Sequence, residues 1–171
     1  MRRVAVVAAA AVLGAAAAGC GAEGQRAVAR VGDGGKVTRE QLDQAVEHFQ
    51  EEAKREGKAF ADGPAARKNL LGLLLYRARL EQGAAALGIT ISRDQVERRL
   101  AATGSAEEGG STAKEAEAFV QSSVRAQLLT EAVYRKLADP IRDADPQRRQ
   151  AKRNAALRRW IASLSERFPA H

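Results

Sequence analysis

Three times in this chain a hydroxyl side chain is followed, three residues on, by Gln or Glu at the head of an apolar-periodic run: Thr38 with Gln41, Ser92 with Gln95 and Thr112 with Glu115. In such a capping box each side chain bonds the other residue's free backbone N–H, so the pair marks where a helix starts. Three marked starts favour a mainly α chain. Composition agrees: Ala, Leu, Arg and Glu dominate, aromatics make up 4% and prolines number four.

The first helix is expected from the Thr38 box to about Glu56, with Leu42, Ala45, Val46 and Phe49 on one face and Gly57 as its stop. Residues 57 to 66 read as a loop, and Asp62-Gly63-Pro64 restarts a helix, because proline is tolerated in a first turn. That second helix carries Leu70, Leu71, Leu73, Leu74, Leu75, Leu80 and Leu87 around more than one face. It should be the most buried element, capped by Gly88. Ile89-Thr90-Ile91 is an extended link, and the Ser92 box opens a third helix through Leu100. After a loop over 103 to 111, a long fourth helix runs to about Leu137, with Phe119, Val120, Val124, Leu128, Leu129 and Val133 apolar. Asp139-Pro140 ends it, since a residue before proline avoids helical geometry.

Ahead of the first box, Val28 to Val31, the turn cluster Gly32 to Gly35 and then Val37 read as a short strand and turn. Behind the fourth helix, a polar linker leads into a fifth, from about Pro146 to Phe168. From Gln147 onward this stretch holds seven basic residues and one acid, Glu166. Its stripe of Ala156, Leu157, Trp160, Ile161, Leu164 and Phe168 predicts a helix that docks on the rest.

The first 20 residues follow different rules. Met1-Arg2-Arg3, an apolar stretch of about 15 residues and a run of small residues ending at Cys20 make a secretory signal. The run is shorter than the ~20 apolar residues that a bilayer-spanning helix needs. Cys20 alone would also suit a buried thiol, but Gly21 to Arg26 read as a polar tether. Ala18-Gly19-Cys20 resembles the lipobox of bacterial lipoproteins, although Ala17 stands where that family usually carries leucine. The resemblance implies removal of residues 1–19, a diacylglycerol on the Cys20 thiol (with palmitate among the acyl chains) and a position on the extracytoplasmic face of the cell membrane.

Residues 20 to 171 suffice for one domain with a real core. They hold 26 basic and 21 acidic residues. With no second cysteine there is no disulfide framework. His48, His171 and one acylated cysteine leave too few ligands for a zinc site. The chain has no Gly-x-Ser-x-Gly elbow, no phosphate loop and no Cys/His nucleophile pair. No catalytic residue, metal or other cofactor is therefore expected.

Two further signatures carry a second resemblance. Val28-Ala29-Arg30-Val31-Gly32-Asp33 followed by Val37-Thr38-Arg39-Glu40-Gln41-Leu42 is similar to the opening of SurA-like chaperone domains. Leu87-Gly88-Ile89-Thr90-Ile91-Ser92-Arg93-Asp94-Gln95-Val96 resembles the joint that follows their leucine-rich helix. The likeness covers about residues 27 to 138, and the last helix looks like the family's returning C-terminal helix. It implies a mainly α, SurA N-terminal-like helical module with a short N-terminal strand and turn. The resulting division is signal peptide 1–19, tether 20–26, helical domain 27–138, linker 139–147 and basic helix 148–171. Many such proteins carry a parvulin-type isomerase domain of about a hundred residues between the last two helices. Here some nine residues join them, so the resemblance implies no isomerase activity.

The leading expectation is a lipid-anchored module that binds unfolded or exported polypeptide without catalysis, through an apolar groove with a basic rim. Candidate groove residues are Phe49, Phe60, Tyr76, Tyr134, Trp160 and Phe168, each of which would equally serve a core. Phe60, in a loop, is the one most expected to be exposed. A second expectation is adhesion to anionic cell-wall polymer or lipid headgroups through Arg148, Arg149, Lys152, Arg153, Arg158 and Arg159, residues that would equally form a solvated helix face. Nucleic acid is set aside as a partner, because the aromatics are not interleaved with the basic residues as stacking platforms require. The oligomeric state stays open.

Overall fold

In the computed structural model, which describes residues 26–103 and 114–171, a β-hairpin leads into five helices. The signal segment, Cys20, the tether as far as residue 25 and Thr112 lie outside the described residues. Strand β1 (Ala27–Val31) pairs antiparallel with β2 (Gly35–Thr38), setting Ala29 opposite Val37 and Val31 opposite Gly35. The register shifts between Ala27 and Ala29, and Val28 is exposed there. Val31 and Val37 are buried, so the hairpin lays one face on the helices.

Helix α1 (Arg39–Arg55) starts at the expected box: Thr38 Oγ1 accepts from the Gln41 N–H at 3.2 Å, and Gln41 Oε1 accepts from the Thr38 N–H at 2.9 Å. Helix α2 (Pro64–Ala86) follows, with Pro64 in its first turn, and α3 (Arg93–Ala102) opens on the reciprocal Ser92–Gln95 pair. Helix α4 (Lys114–Leu137) ends just before Asp139-Pro140. Helix α5 (Pro146–Arg167) is capped by Asp145, whose side chain accepts from the backbone N–H groups of Gln147 and Arg148. Gly57 and Gly88 close α1 and α2 at φ of 66° and 69°. In that left-handed region, the Gly88 N–H bonds Ala85 O and the Ile89 N–H bonds Ala84 O, carbonyls of the last turn that the Leu87 N–H also reaches.

As its leucine pattern requires, α2 is the shared wall of the molecule, touching both strands, α1, α4 and α5. Two apolar clusters form along it. The larger gathers Leu80, Ala84, Ile91, Val96, Val124, Leu129, Val133, Trp160 and Leu164 from α2, α4, α5 and the segment around α3. The smaller gathers Val37, Ala45, Val46, Leu70, Leu74 and Phe119 around the first halves of α2 and α4. A buried leucine such as Leu80 or Leu164 stabilises by about 1.5–3 kcal/mol relative to leaving it exposed.

The docked fifth helix comes close. A Cβ at Gly83 would overlap Leu164 Cδ2 and lie 2.9 Å from Trp160 Cζ2, so only glycine lets α5 approach this near. Beyond α5 the tail adds something that strand patterning does not predict. The Arg30 N–H donates to His171 O at 3.1 Å, the His171 N–H donates to Arg30 O at 3.0 Å, and the Gly32 N–H donates to Pro169 O at 3.0 Å. Ala170 thus pairs with Val31 along the outer edge of β1. Helix α2 fastens both ends of this seam, with Gln82 Nε2 donating to Val31 O at 2.6 Å and Arg79 Nε donating to Phe168 O at 3.0 Å.

Candidate functional site

The six aromatic candidates fall in three places rather than along one groove. Trp160 belongs to the larger cluster: it is 9% exposed, with its ring against Gly83, and its indole N–H is buried without a partner among the described residues. Phe168 is half-buried on the same cluster. Phe49 and Phe60 stack with centroids 6.4 Å apart, and Phe49 meets Phe119 edge-on at 5.7 Å. Phe60 is thus half-buried against the smaller cluster rather than exposed as its loop position suggested, since a loop aromatic gains by covering a partly open ring.

Tyr76 and Tyr134 are different. Both line a shallow groove along α4, made of two adjoining hollows of about 460 and 440 Å3 that share Thr130 and Glu131. Leu73, Tyr76 and Leu80 of α2 form one wall, and Tyr134 with Leu157 of α5 continues it. Its polar atoms come from Ser123, Gln127, Thr130 and Glu131 on α4, with Arg77 and Arg135 at the margins. Glu131 is held by Arg99 of α3 at 2.8 and 3.1 Å. Burial pushes the Tyr76 phenol above its ordinary value, so the hydroxyl stays protonated and able to donate. The groove offers adaptable apolar and hydrogen-bonding contacts.

Composition gave no sign of Arg77. Its guanidinium lies 4.3 Å over the Phe119 ring and donates to Ser122 Oγ at 2.9 Å and Ser123 Oγ at 2.8 Å. Both hydroxyls in turn donate to Phe119 O at 2.8 Å. The only available signal was spacing, since Arg77 sits three residues after Leu74 and three before Leu80 on a leucine-rich helix.

The basic helix divides along its length. Lys152 Nζ lies 2.7 Å from Asp143 Oδ2, Arg149 Nε donates to Asp143 O at 2.9 Å, Arg153 donates to Asp139 O at 3.3 Å and Arg148 pairs with Asp145 at 3.3 Å. These four cations clasp the linker that precedes their own helix. Arg148 and Lys152 stay exposed despite these pairings, as do Arg158 and Arg159, whereas Arg149 and Arg153 are half-buried. Among the described residues no group of three or more His, Cys, Asp or Glu is placed to hold a metal ion, and no helix is long and apolar enough to cross a membrane.

A hairpin delivers the chain into a bundle built around a central leucine-rich helix, with a shallow groove along α4. The chain belongs to the family of SurA-like N-terminal domains, whose model matches residues 3–139. The match is to that N-terminal domain and ends at Asp139, so α5 and the tail seam lie beyond it. Neither a curated protein nor a solved structure matches the chain.

Proposed function

We propose that this protein is a non-catalytic chaperone-type module that holds unfolded or exported polypeptide in the groove along α4, working from a lipid anchor at Cys20. The observation that carries the reading is the pair Tyr76 and Tyr134. They are half-buried aromatics that border an open, largely apolar trough, Tyr76 while also packing against the larger cluster. Rings of this kind give large contact area at low entropic cost and suit varied sequences. No nucleotide or metal is required, because the groove offers only reversible contacts.

The anchor sets the place of work. Six residues, 21 to 26, separate Cys20 from the hairpin, a length that would keep the helical body near the extracytoplasmic membrane surface, where exported chains emerge. The adhesion reading has less support, because Arg148 and Lys152, although exposed, already pair with Asp145 and Asp143, and Arg149 and Arg153 bond linker carbonyls.

The test is aggregation of an unfolded client in the presence of the full chain, solubilised in a neutral detergent. Suppression at a few-fold excess, weakened by Tyr76→Ala with Tyr134→Ala while the melting temperature holds, is the expected result. Suppression absent in the parent protein, or untouched in the double variant, overturns the reading. Cys20→Ser should release the folded protein from membranes.

A further inference from the structure

We infer that the hollow on the opposite side of the α2–α4 seam, between the hairpin and Arg77, is a second binding site that receives a carboxylate carried by the bound polypeptide. The inference rests on the chaperone-type reading above for its ligand class, and on separate residues for its chemistry. The hollow measures about 210 Å3 and has an apolar floor of Val37, Leu74 and Phe119. Lys36 and Arg77 stand over that floor, with Ser122 beside them.

Charge decides what fits. Arg77 is half-buried, yet its hydrogen bonds go to two neutral hydroxyls and its plane lies on a ring, so among the described residues no carboxylate balances it. Burial lowers its pKa, which shows that the charge is held at a cost. The acid that lines the hollow, Glu81, is already engaged by Arg125 at 2.9 Å. Arg125 and Glu81 also line the adjoining hollow of about 450 Å3, which shares Lys36. Taken together the two hollows carry three cations, Lys36, Arg77 and Arg125, against one acid.

A guanidinium presents five N–H donors in a fixed fork, and here two donors are assigned to the serines. The remaining donors and the mobile Lys36 ammonium supply the charge-assisted bonds that a carboxylate accepts. Arg77 also borders the apolar groove on the far side of the seam. One extended chain lying across α2 could therefore place an apolar side chain beside Tyr76 and an acidic group beside Arg77.

Three versions of one short, Leu- and Tyr-containing peptide test this against the full chain in neutral detergent. The first has a Glu and an amidated C-terminus, the second a Gln and a free C-terminal carboxylate, the third a Gln and an amidated C-terminus. Calorimetry gives the affinities, and the Arg77 Nε–H resonance reports contact at the guanidinium. Either or both charged peptides should bind about tenfold more tightly than the neutral one and shift that resonance, and the one that does identifies the source of the carboxylate. Lys36→Gln, at an exposed position, should erase most of the gain without changing stability, and Arg77→Gln should erase it entirely. Equal affinity for all three peptides with the neutral one still binding overturns the carboxylate site and leaves the groove standing. No binding by any peptide overturns both. A preference for charged peptides that survives Lys36→Gln and leaves the Arg77 resonance unmoved places recognition elsewhere and also overturns the site.

Discussion

The two apolar clusters share α2 but are sealed differently. Along its second half, α2 packs into mostly aliphatic residues and Trp160 and is covered by a whole helix, α5, which leaves Leu80 and Leu164 1% exposed and Val133 fully buried. Along its first half no helix plays that part: Phe119 is buried among aliphatic residues, and the outer side is closed by Phe49 and by Phe60 from a loop, both half-buried. A closely packed aliphatic interior tolerates little change in volume. A ring stack at the margin can slide or open at small cost. The apolar groove and the cationic hollow both border the stretch where the two regimes meet, around Leu73 to Glu81.

The contrast can be broken most forcefully at Trp160. Trp160→Ala removes a large ring from the covered cluster and should cost about 3–5 kcal/mol in chemical denaturation. A loss below about 1 kcal/mol would mean that α5 is only loosely laid on. Next comes Gly83→Ala, whose methyl must push Leu164 and Trp160 aside. Overpacking of about 1–3 kcal/mol should exceed the roughly 1 kcal/mol that alanine gains in helix propensity. Hydrogen exchange should then rise in α5 before it rises in α1. Phe60→Ala, on the marginal side, should cost no more than about 1 kcal/mol, because its ring is only half-covered. An effect as large as that of Trp160→Ala would erase the distinction between the clusters.

The smallest expected effect is on pH dependence, and it belongs to the aromatic cluster alone. His48 lies 4.7 Å from the Phe119 ring centroid and 5.5 Å from that of Phe49. Burial holds its imidazole below the ordinary 6.5; Glu52 pulls the other way, and Arg55 and Arg77 add to the lowering. Its folded pKa thus lies under its unfolded one, so the unfolded chain takes up the proton first. Stability is full above 6.5 and declines as pH falls through that value towards the folded pKa. His48→Gln should flatten that part of the stability profile in denaturation series at several pH values, and an unchanged slope would assign it to other groups.

Much of this architecture can be read from local signals. The boxes at Thr38 and Ser92, the stops at Gly57, Gly88 and Asp139-Pro140 and the leucine spread of α2 each act within a few residues, and each sits where local chemistry places it. The box at Thr112 lies outside the described residues. Long-range placement was less legible. Which aromatics share a groove depends on helix rotation and crossing, so Tyr76 and Tyr134 look no different in sequence from Trp160. The charge run at 148 to 153 reads as an open patch because its acidic partners, Asp143 and Asp145, belong to what looks like a linker. Arg77 reads as the polar face of an apolar helix, and only the positions of Phe119 and the two serines show that its charge is enclosed.

The seam between residues 30 and 171 also bears on the timing of assembly. A hairpin is normally among the earliest structures to form, because its contacts are local. Here β1 acquires its second neighbour only when Pro169, Ala170 and His171 arrive. A chain emerging N-terminus first would therefore carry an open strand edge until residues 169 to 171 followed. For that interval the protein would have the same vulnerability to stray strand pairing as the polypeptides it is proposed to hold.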